Sequence, residues 1–167
     1  GSGTTRHAQS VKISKTAIVK ADAVETGNGG EVIVWSDQKT QISGKITANA
    51  GQTGDGGFIE TSSKDSLHVS SEATIQAYAE NGSQGHWLLD PRNVLLQNAA
   101  GTDASGGGAI TPTTDNEVVD INTVETALDG GLNVTITTGA TGTQDGNTDV
   151  QDAIRWTGAG ALTLTAD

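Results

Sequence analysis

The residue types that support catalysis are present in this chain, but they are scattered. The three histidines are His7, His68 and His86, and none has a serine and an aspartate at a spacing that suggests a catalytic triad. His86 and Asp90 stand four residues apart as a candidate pair, although a solvated or partly packed histidine explains the same residues. No catalytic residue is predicted, and the chain is expected not to be an enzyme.

A run of oxygen-bearing side chains between residues 145 and 152 has the spacing of a calcium loop. Its members are Asp145, Asn147, Asp149 and Asp152. The turn glycine and the terminal glutamate of an EF-hand are missing, and the turn-forming tendency of Asp and Asn explains the run as well. No metal site and no cofactor is therefore predicted, and calcium remains an open alternative.

Two acceptor sequons offer a route to glycosylation. They are Asn81-Gly82-Ser83 and Asn133-Val134-Thr135. In a chain rich in Asn and Thr, two such short motifs are close to chance, so modification of Asn81 or Asn133 is left open.

The composition indicates a repetitive β-structure with many tight turns. Of 167 residues, 23 are glycine, 34% are hydrophobic and only 3% are aromatic. Such a chain suits either disorder or a β-solenoid, and the repeats described below favour the solenoid. Cysteine is absent, which excludes disulfides and thiolate metal sites.

The charge of the chain excludes two classes of partner. Its net charge is −11, from 9 basic and 20 acidic residues. A protein this acidic has no basic patch for nucleic acid or for an anionic lipid surface. No apolar run approaches the roughly 20 residues that span a bilayer, so membrane insertion is not expected.

Glycine-bearing turns recur at a nearly constant spacing and give the clearest structural signal. The last glycine of each turn is Gly30, Gly57 or Gly85, so the turns are 27 and 28 residues apart. An apolar run that alternates with period two follows each turn. Coils of about 27 residues cannot bury such runs alone but can do so by stacking. The pattern predicts an all-β chain folded as a right-handed parallel β-helix; a glycine-rich antiparallel sandwich is the alternative.

The alternation also predicts which side chains face the core. The residues expected to point inward are Val32, Val34, Ile59, Trp87 and Leu89, with Ile46 and Ile75 stacked opposite. The residues between them form outward rows, Glu31/Phe58/His86, Ile33/Glu60/Leu88 and Trp35/Ser62/Asp90. These rows do not place two carboxylates in adjacent coils, as a polysaccharide-cleaving β-helix would require.

The repeat stops at Gln97, and this break sets the expected organisation. Residues 1–3 look like a cloning scar, 4–97 form coils, 98–131 form a loop-helix excursion, and 132–167 resume the coils. Residues 122–125 have the spacing of a capping box, and Gly130-Gly131 end the short helix. Strands are expected again at 133–136, 153–156 and 161–165.

An apolar stripe on the outside of the coils calls for an explanation. It consists of Ile33, Trp35, Phe58 and Leu88. Val124 and Leu128 lie four residues apart on one helix face, so the excursion is expected to lie outside the coils and cover the stripe. The alternative is that the stripe is a groove for a ligand or partner.

Several segments of the chain resemble the filamentous-haemagglutinin type of two-partner-secretion exoprotein, a group that includes large bacterial adhesins. The resemblance covers most of residues 27–166 and is specific at three places, namely Trp35-Ser36-Asp37, Gly54-Asp55-Gly56-Gly57-Phe58 and Trp87-Leu88-Leu89-Asp90-Pro91. The Asn-Pro-Asn motifs of that family's secretion domain are missing. The chain is therefore expected to be a fragment from downstream of that domain.

The resemblance implies a β-helical shaft that displays binding surfaces for host or cell-surface ligands. It implies that the parent protein is exported by an outer-membrane two-partner-secretion transporter and is secreted or held at the bacterial surface. The host receptor or glycan is not indicated. Two other functions stay open, a carbohydrate-active β-helix enzyme and a capture module for a host protein.

Overall fold

The computed structural model describes residues 7–98, 117–139 and 146–166, which form fourteen strands and one helix. In chain order they are β1 Ser10–Ile13, β2 Ile18–Lys20, β3 Glu31–Ser36, β4 Lys39–Ile42, β5 Lys45–Thr47, β6 Phe58–Ser63, β7 Ser66–Val69, β8 Thr74–Gln76, β9 His86–Asp90, β10 Val94–Gln97, β11 Glu117–Asp120, α1 Ile121–Asp129, β12 Asn133–Thr137, β13 Thr148–Val150 and β14 Leu162–Thr165.

The strands stack into three parallel sheets, and the chain is a parallel β-helix of about five turns. Sheet S1 has the order β1-β4-β7-β11-β10-β13, sheet S2 the order β2-β5-β8, and sheet S3 the order β3-β6-β9-β12-β14. In S3, Val32 pairs with Ile59 and Ile59 with Trp87. Residues 27 or 28 positions apart in the sequence thus pair in adjacent coils, and the predicted spacing of about 27 residues is the length of one coil.

The predicted inward set is confirmed. All seven residues are buried, Ile46, Ile59, Trp87 and Leu89 completely. The indole N–H of Trp87 donates to the Thr61 hydroxyl at 3.0 Å, so the largest core side chain has its polar atom paired. Because adjacent side chains of a strand face opposite ways, the same register places Ile33, Glu60 and Leu88 on the outside.

Sheet S1 does not follow chain order. Strand β11 lies between β7 and β10 and is parallel to both, with Val119 paired to Val69 on one side and to Leu96 on the other. In S1, the position next to β7 is thus occupied not by β10, the next S1 strand in the sequence, but by β11. Strand β10 pairs on the far side of β11. Of the predicted loop at residues 98–116, residues 99–116 lie outside the described residues.

The predicted position of the helix is wrong. Helix α1 packs against β8, β11 and β12, and Val124 and Leu128 are fully buried in the common core. It occupies the level above β8, the last strand of S2, where a fourth S2 strand would otherwise lie. Because β8 is the last strand of S2, the helix does not have to lie at the distance of a hydrogen-bonded strand. Its apolar face closes the core at this position.

The start of the helix also differs from the capping-box prediction. Asp120, the last residue of β11, is the N-cap, and its Oδ1 accepts from the backbone N–H groups of Asn122 and Thr123 at 2.8 and 3.4 Å. Asp120 is already extended at the end of its strand, the conformation that an N-cap needs. The helix ends at Asp129, and Gly131 follows with a φ of 86°, as the predicted Gly130-Gly131 signal requires.

Of the three strands predicted after the helix, two are confirmed by β12 and β14. The third, at 153–156, is irregular. This segment passes over α1, whose backbone N–H and C=O groups bond within the helix and offer no strand edge. Helix carboxylates hold it instead: Glu125 accepts from the Arg155 N–H at 2.6 Å, and Asp129 accepts from the N–H of Thr157 at 2.6 Å. The backbone N–H groups of Thr157 and Gly158 both donate to the Asp129 carboxylate and lower its pKa.

Replacing the buried helix side chain should destabilise the whole stack. We expect Leu128→Ser to lower the free energy of unfolding by about 3–5 kcal/mol, because the change leaves a cavity and buries a hydroxyl. Urea denaturation followed by circular dichroism measures the loss. The control is Thr126→Ala on the exposed side of the same helix, expected to cost less than about 1 kcal/mol. Equal stability of the Leu128→Ser variant and the parent would contradict the placement of α1 beside β8 with Leu128 in the core.

Candidate functional site

The outward side chains of the first three S3 strands form one continuous surface, called the outer face below. Parallel pairing aligns them in three rows, and the observed register is that of the predicted rows. The rows are Glu31/Phe58/His86, Ile33/Glu60/Leu88 and Trp35/Ser62/Asp90. Strands in a sheet lie about 4.8 Å apart, so each row brings side chains from distant parts of the sequence into contact range.

Helix α1 does not cover the outer face, and among the described residues the ring of His7 packs edge-to-face on Trp35 at one end of this face. Ile33 is 58% exposed, while Trp35, Phe58 and Leu88 are half-buried. Because α1 lies in the wall of S2, the predicted cover by Val124 and Leu128 is wrong. The apolar stripe is therefore a solvent-facing feature of the described structure.

An aromatic pair stands at the start of these strands. The rings of Phe58 and His86 are stacked, with centroids 6.0 Å apart and an interplanar angle of 15°. Partial burial lowers the pKa of His86, because desolvation disfavours the imidazolium ion. Partial burial thus favours the neutral imidazole.

The lowered pKa of His86 predicts a pH dependence of stability. When the folded pKa lies below the unfolded value of about 6.5, the unfolded chain binds more protons, so the free energy of unfolding falls as pH drops through that region. The contribution of His86 is complete above the unfolded pKa. Urea denaturation at a series of pH values between about 5.5 and 8 should show this slope, and His86→Gln should reduce it. An unchanged slope in His86→Gln would contradict the assignment.

At the other end of the rows, a cleft opens where S3 turns toward S1. Its lining includes Trp35, Lys64, Asp90, Pro91 and Arg92. Trp35 and Asp90 lie on either side of Ser62 in one row, two strand spacings or about 10 Å apart at the backbone. We name this feature the corner cleft.

The charged groups of the corner cleft differ in how they are paired. Arg92 Nη2 lies 3.7 Å from Asp65 Oδ1, and its buried Nε has no hydrogen-bond partner among the described residues. The exposed Lys64 forms no ion pair within the described ranges. Asp90 is exposed and accepts a hydrogen bond from the Thr137 hydroxyl at 3.3 Å. The cleft thus presents both signs of charge beside an indole.

The sequence candidates for catalysis are not brought together. Glu60 has Ile33 and Leu88 as row neighbours, so the outer rows pair no two carboxylates in adjacent strands. His86 stacks on Phe58, and Asp90 bonds to Thr137 instead of forming the candidate pair.

The calcium and glycosylation candidates have other local roles where they are described. Asp149 lies in β13, and Asp152 accepts the Asn98 backbone N–H at 2.8 Å, while Asp145 lies outside the described residues. Among residues 7–98, 117–139 and 146–166, no three His, Asp or Glu side chains cluster to hold a metal. Exposed Asn81 donates to the Gln52 carbonyl, and Asn133 accepts the Ala161 N–H at 3.2 Å.

Side chains at the coil corners carry a structural role that the sequence reasoning missed. Asp22 accepts the Asn49 N–H, and Asn28 accepts the Asp55 N–H, at 2.8 and 2.9 Å. Each acceptor thus ties its corner to the equivalent corner of the next coil. Both hydrogen bonds join residues 27 positions apart, Asp22 with Asn49 and Asn28 with Asp55. This spacing is the sequence signal that could have identified the corner hydrogen bonds.

Comparison with known proteins adds no family assignment. No protein-family model matches the chain, and no curated protein matches its sequence. Within the described part of the chain, no helix has the length and apolar character required to cross a membrane. The class of the protein is therefore the one that its strand order defines, a parallel β-helix with an outer face that α1 does not cover and a charged cleft beside it.

Proposed function

We propose that the chain is a structural and adhesive segment of a secreted bacterial surface exoprotein. In this function the β-helix is a shaft, and its outer face contacts a ligand on a host or neighbouring cell. The resemblance to filamentous-haemagglutinin-type exoproteins supports the proposal. The observed parallel β-helix supports it as well, because the resemblance implies a β-helical shaft. The proposed parent is exported through an outer-membrane two-partner-secretion transporter and acts at the cell surface or after release.

The outer face, which α1 does not cover, is the observation on which this function depends. Ile33 is 58% exposed in the middle of β3, with half-buried Trp35 two residues further along the same strand and half-buried Phe58 diagonally opposite on β6. Half-buried Leu88 lies in the same row, beyond Glu60. Contiguous apolar patches rimmed by polar groups mark interaction sites on soluble proteins. Glu31 and Asp90 lie at the edges of this patch and Glu60 lies within it, and these carboxylates can make a contact specific.

A bead-adhesion assay with two isoleucine variants tests the proposal. The purified chain is coupled to beads, which are incubated with a panel of cultured epithelial cells and counted after washing. Ile33→Asp should reduce adhesion several-fold because it places a charge in the contact. The matched control is Ile18→Asp, since Ile18 is 60% exposed in a strand of S2. This control should adhere like the parent.

The outcomes separate this function from the alternatives. Failure of the parent to adhere to any cell type, or equal adhesion of the Ile33→Asp beads, would overturn the proposal. Release of shortened saccharides from acidic or neutral polysaccharides would instead identify a carbohydrate-active enzyme. Adhesion that depends on a soluble host protein added to the cells would identify a capture module.

A further inference from the structure

The corner cleft combines three kinds of contact at one place. The half-buried indole of Trp35 offers an aromatic surface, Lys64 and Arg92 offer cations, and Asp90 offers a carboxylate. Trp35 itself is held by the ring of His7, which meets it edge-to-face with centroids 4.6 Å apart. The cleft therefore has a positioned aromatic wall and polar groups on strand ends and turns.

The charge balance of the cleft disfavours a simple anion as its ligand. Lys64 and Arg92 are accompanied by Asp90, and Asp65 already lies 3.7 Å from the Arg92 guanidinium. The whole chain carries a net charge of −11, so its long-range field repels polyanions. A ligand with a negative and a positive group joined by a short link would satisfy both signs of charge in the cleft.

We infer that the corner cleft binds a phosphocholine group. Its quaternary ammonium lies against Trp35 and beside Asp90, and its phosphate oxygens accept from the Arg92 and Lys64 donors. Quaternary ammonium ions bind aromatic faces through the ring quadrupole, and guanidinium donors suit phosphate oxygens.

This inference rests on the proposed function and deepens it, because it names the chemistry of one contact next to the outer face. Free phosphocholine esters and the headgroups of phosphatidylcholine present the same chemical group. The cleft recognises the group, and the source is decided by experiment.

Titration of the full chain with phosphocholine tests the inference. Two-dimensional NMR should show saturable shifts of the Trp35 indole signal, with no shift of the buried Trp87. Trp35→Ala should weaken binding about tenfold by removing the cation–π contact. Two further variants separate the halves of the ligand. Asp90→Asn should weaken binding of choline but not of inorganic phosphate, and Lys64→Gln should do the reverse.

The control for these charge changes is Lys20→Gln, which removes an exposed cation from S2 and should leave binding unchanged. Absence of saturable shifts with phosphocholine would overturn the inference. Equal binding of inorganic phosphate and phosphocholine, unaffected by Trp35→Ala, would also overturn it, because it would show anion binding alone.

Sedimentation with phosphatidylcholine vesicles identifies the source of the group. Co-sedimentation that free phosphocholine abolishes would support a lipid headgroup, and soluble binding without co-sedimentation would support a phosphocholine ester. The bead assay separates failure of this inference from failure of the proposed function. Beads that adhere through Ile33 while phosphocholine does not bind would overturn the cleft assignment alone.

Discussion

The Ile59→Asp variant is expected to be unfolded at neutral pH. Ile59 is fully buried in β6, the second strand of S3, and is paired with Val32 on one side and Trp87 on the other. A carboxylate there has no partner among these apolar neighbours, and an unpaired buried charge costs more than about 4 kcal/mol. That loss is comparable with the total stability of a small domain, about 5–15 kcal/mol. Circular dichroism and tryptophan fluorescence should both report an unfolded chain.

The matched control is Ile33→Asp, the same substitution at an exposed position on the neighbouring strand. This variant should retain the β-sheet spectrum and unfold near the urea concentration of the parent. If Ile59→Asp unfolds like the parent while Ile33→Asp does not fold, the two faces of S3 are exchanged and the register is one residue out.

Adding a single methyl group at Gly56 is expected to have the second largest effect. A Cβ at this position would lie 2.0 Å from the carbonyl oxygen of Ala77 and 2.4 Å from the backbone nitrogen of Gly85. These backbone atoms belong to the next coil and cannot move without opening the stack. We expect Gly56→Ala to lower the free energy of unfolding by about 3 kcal/mol or more.

Urea denaturation compares this variant with Gly139→Ala, where an added Cβ would meet no atom of the described residues within 4 Å. The control should change stability by less than about 1 kcal/mol. Equal stability of the two variants would mean that the turns of successive coils are not in close backbone contact.

The repeated coils could be predicted from the sequence because their signals are local and periodic. Gly30, Gly57 and Gly85 fix the turns, and the alternation around Ile59 fixes which side chains enter the core. The insertion of β11 could not be predicted, because it depends on pairing with two strands that are distant in sequence. The helix position failed for a related reason: the apolar face of Val124 and Leu128 fits either the outside of a coil or a place in its wall.

The candidate site was predictable only in part. Period-two alternation identified the outer face, including the exposed Ile33, but the predicted cover by the helix was wrong. The corner cleft gave no sequence signal, since Lys64 and Arg92 lie in the turns after β6 and β9. Their meeting with Trp35 depends on how the corner between S3 and S1 bends, which strand periodicity does not specify.

Covalent footprinting of the chain while it is bound to cells tests most directly that the outer face is the contact surface. Side chains are labelled with a short-lived carbene before and after binding, and the modified residues are quantified by mass spectrometry. We expect labelling of Ile33, Phe58 and Leu88 to fall on binding while labelling of Ile18 and Val24 stays constant. Protection of Ile18 and Val24 with Ile33 still labelled would contradict this expectation.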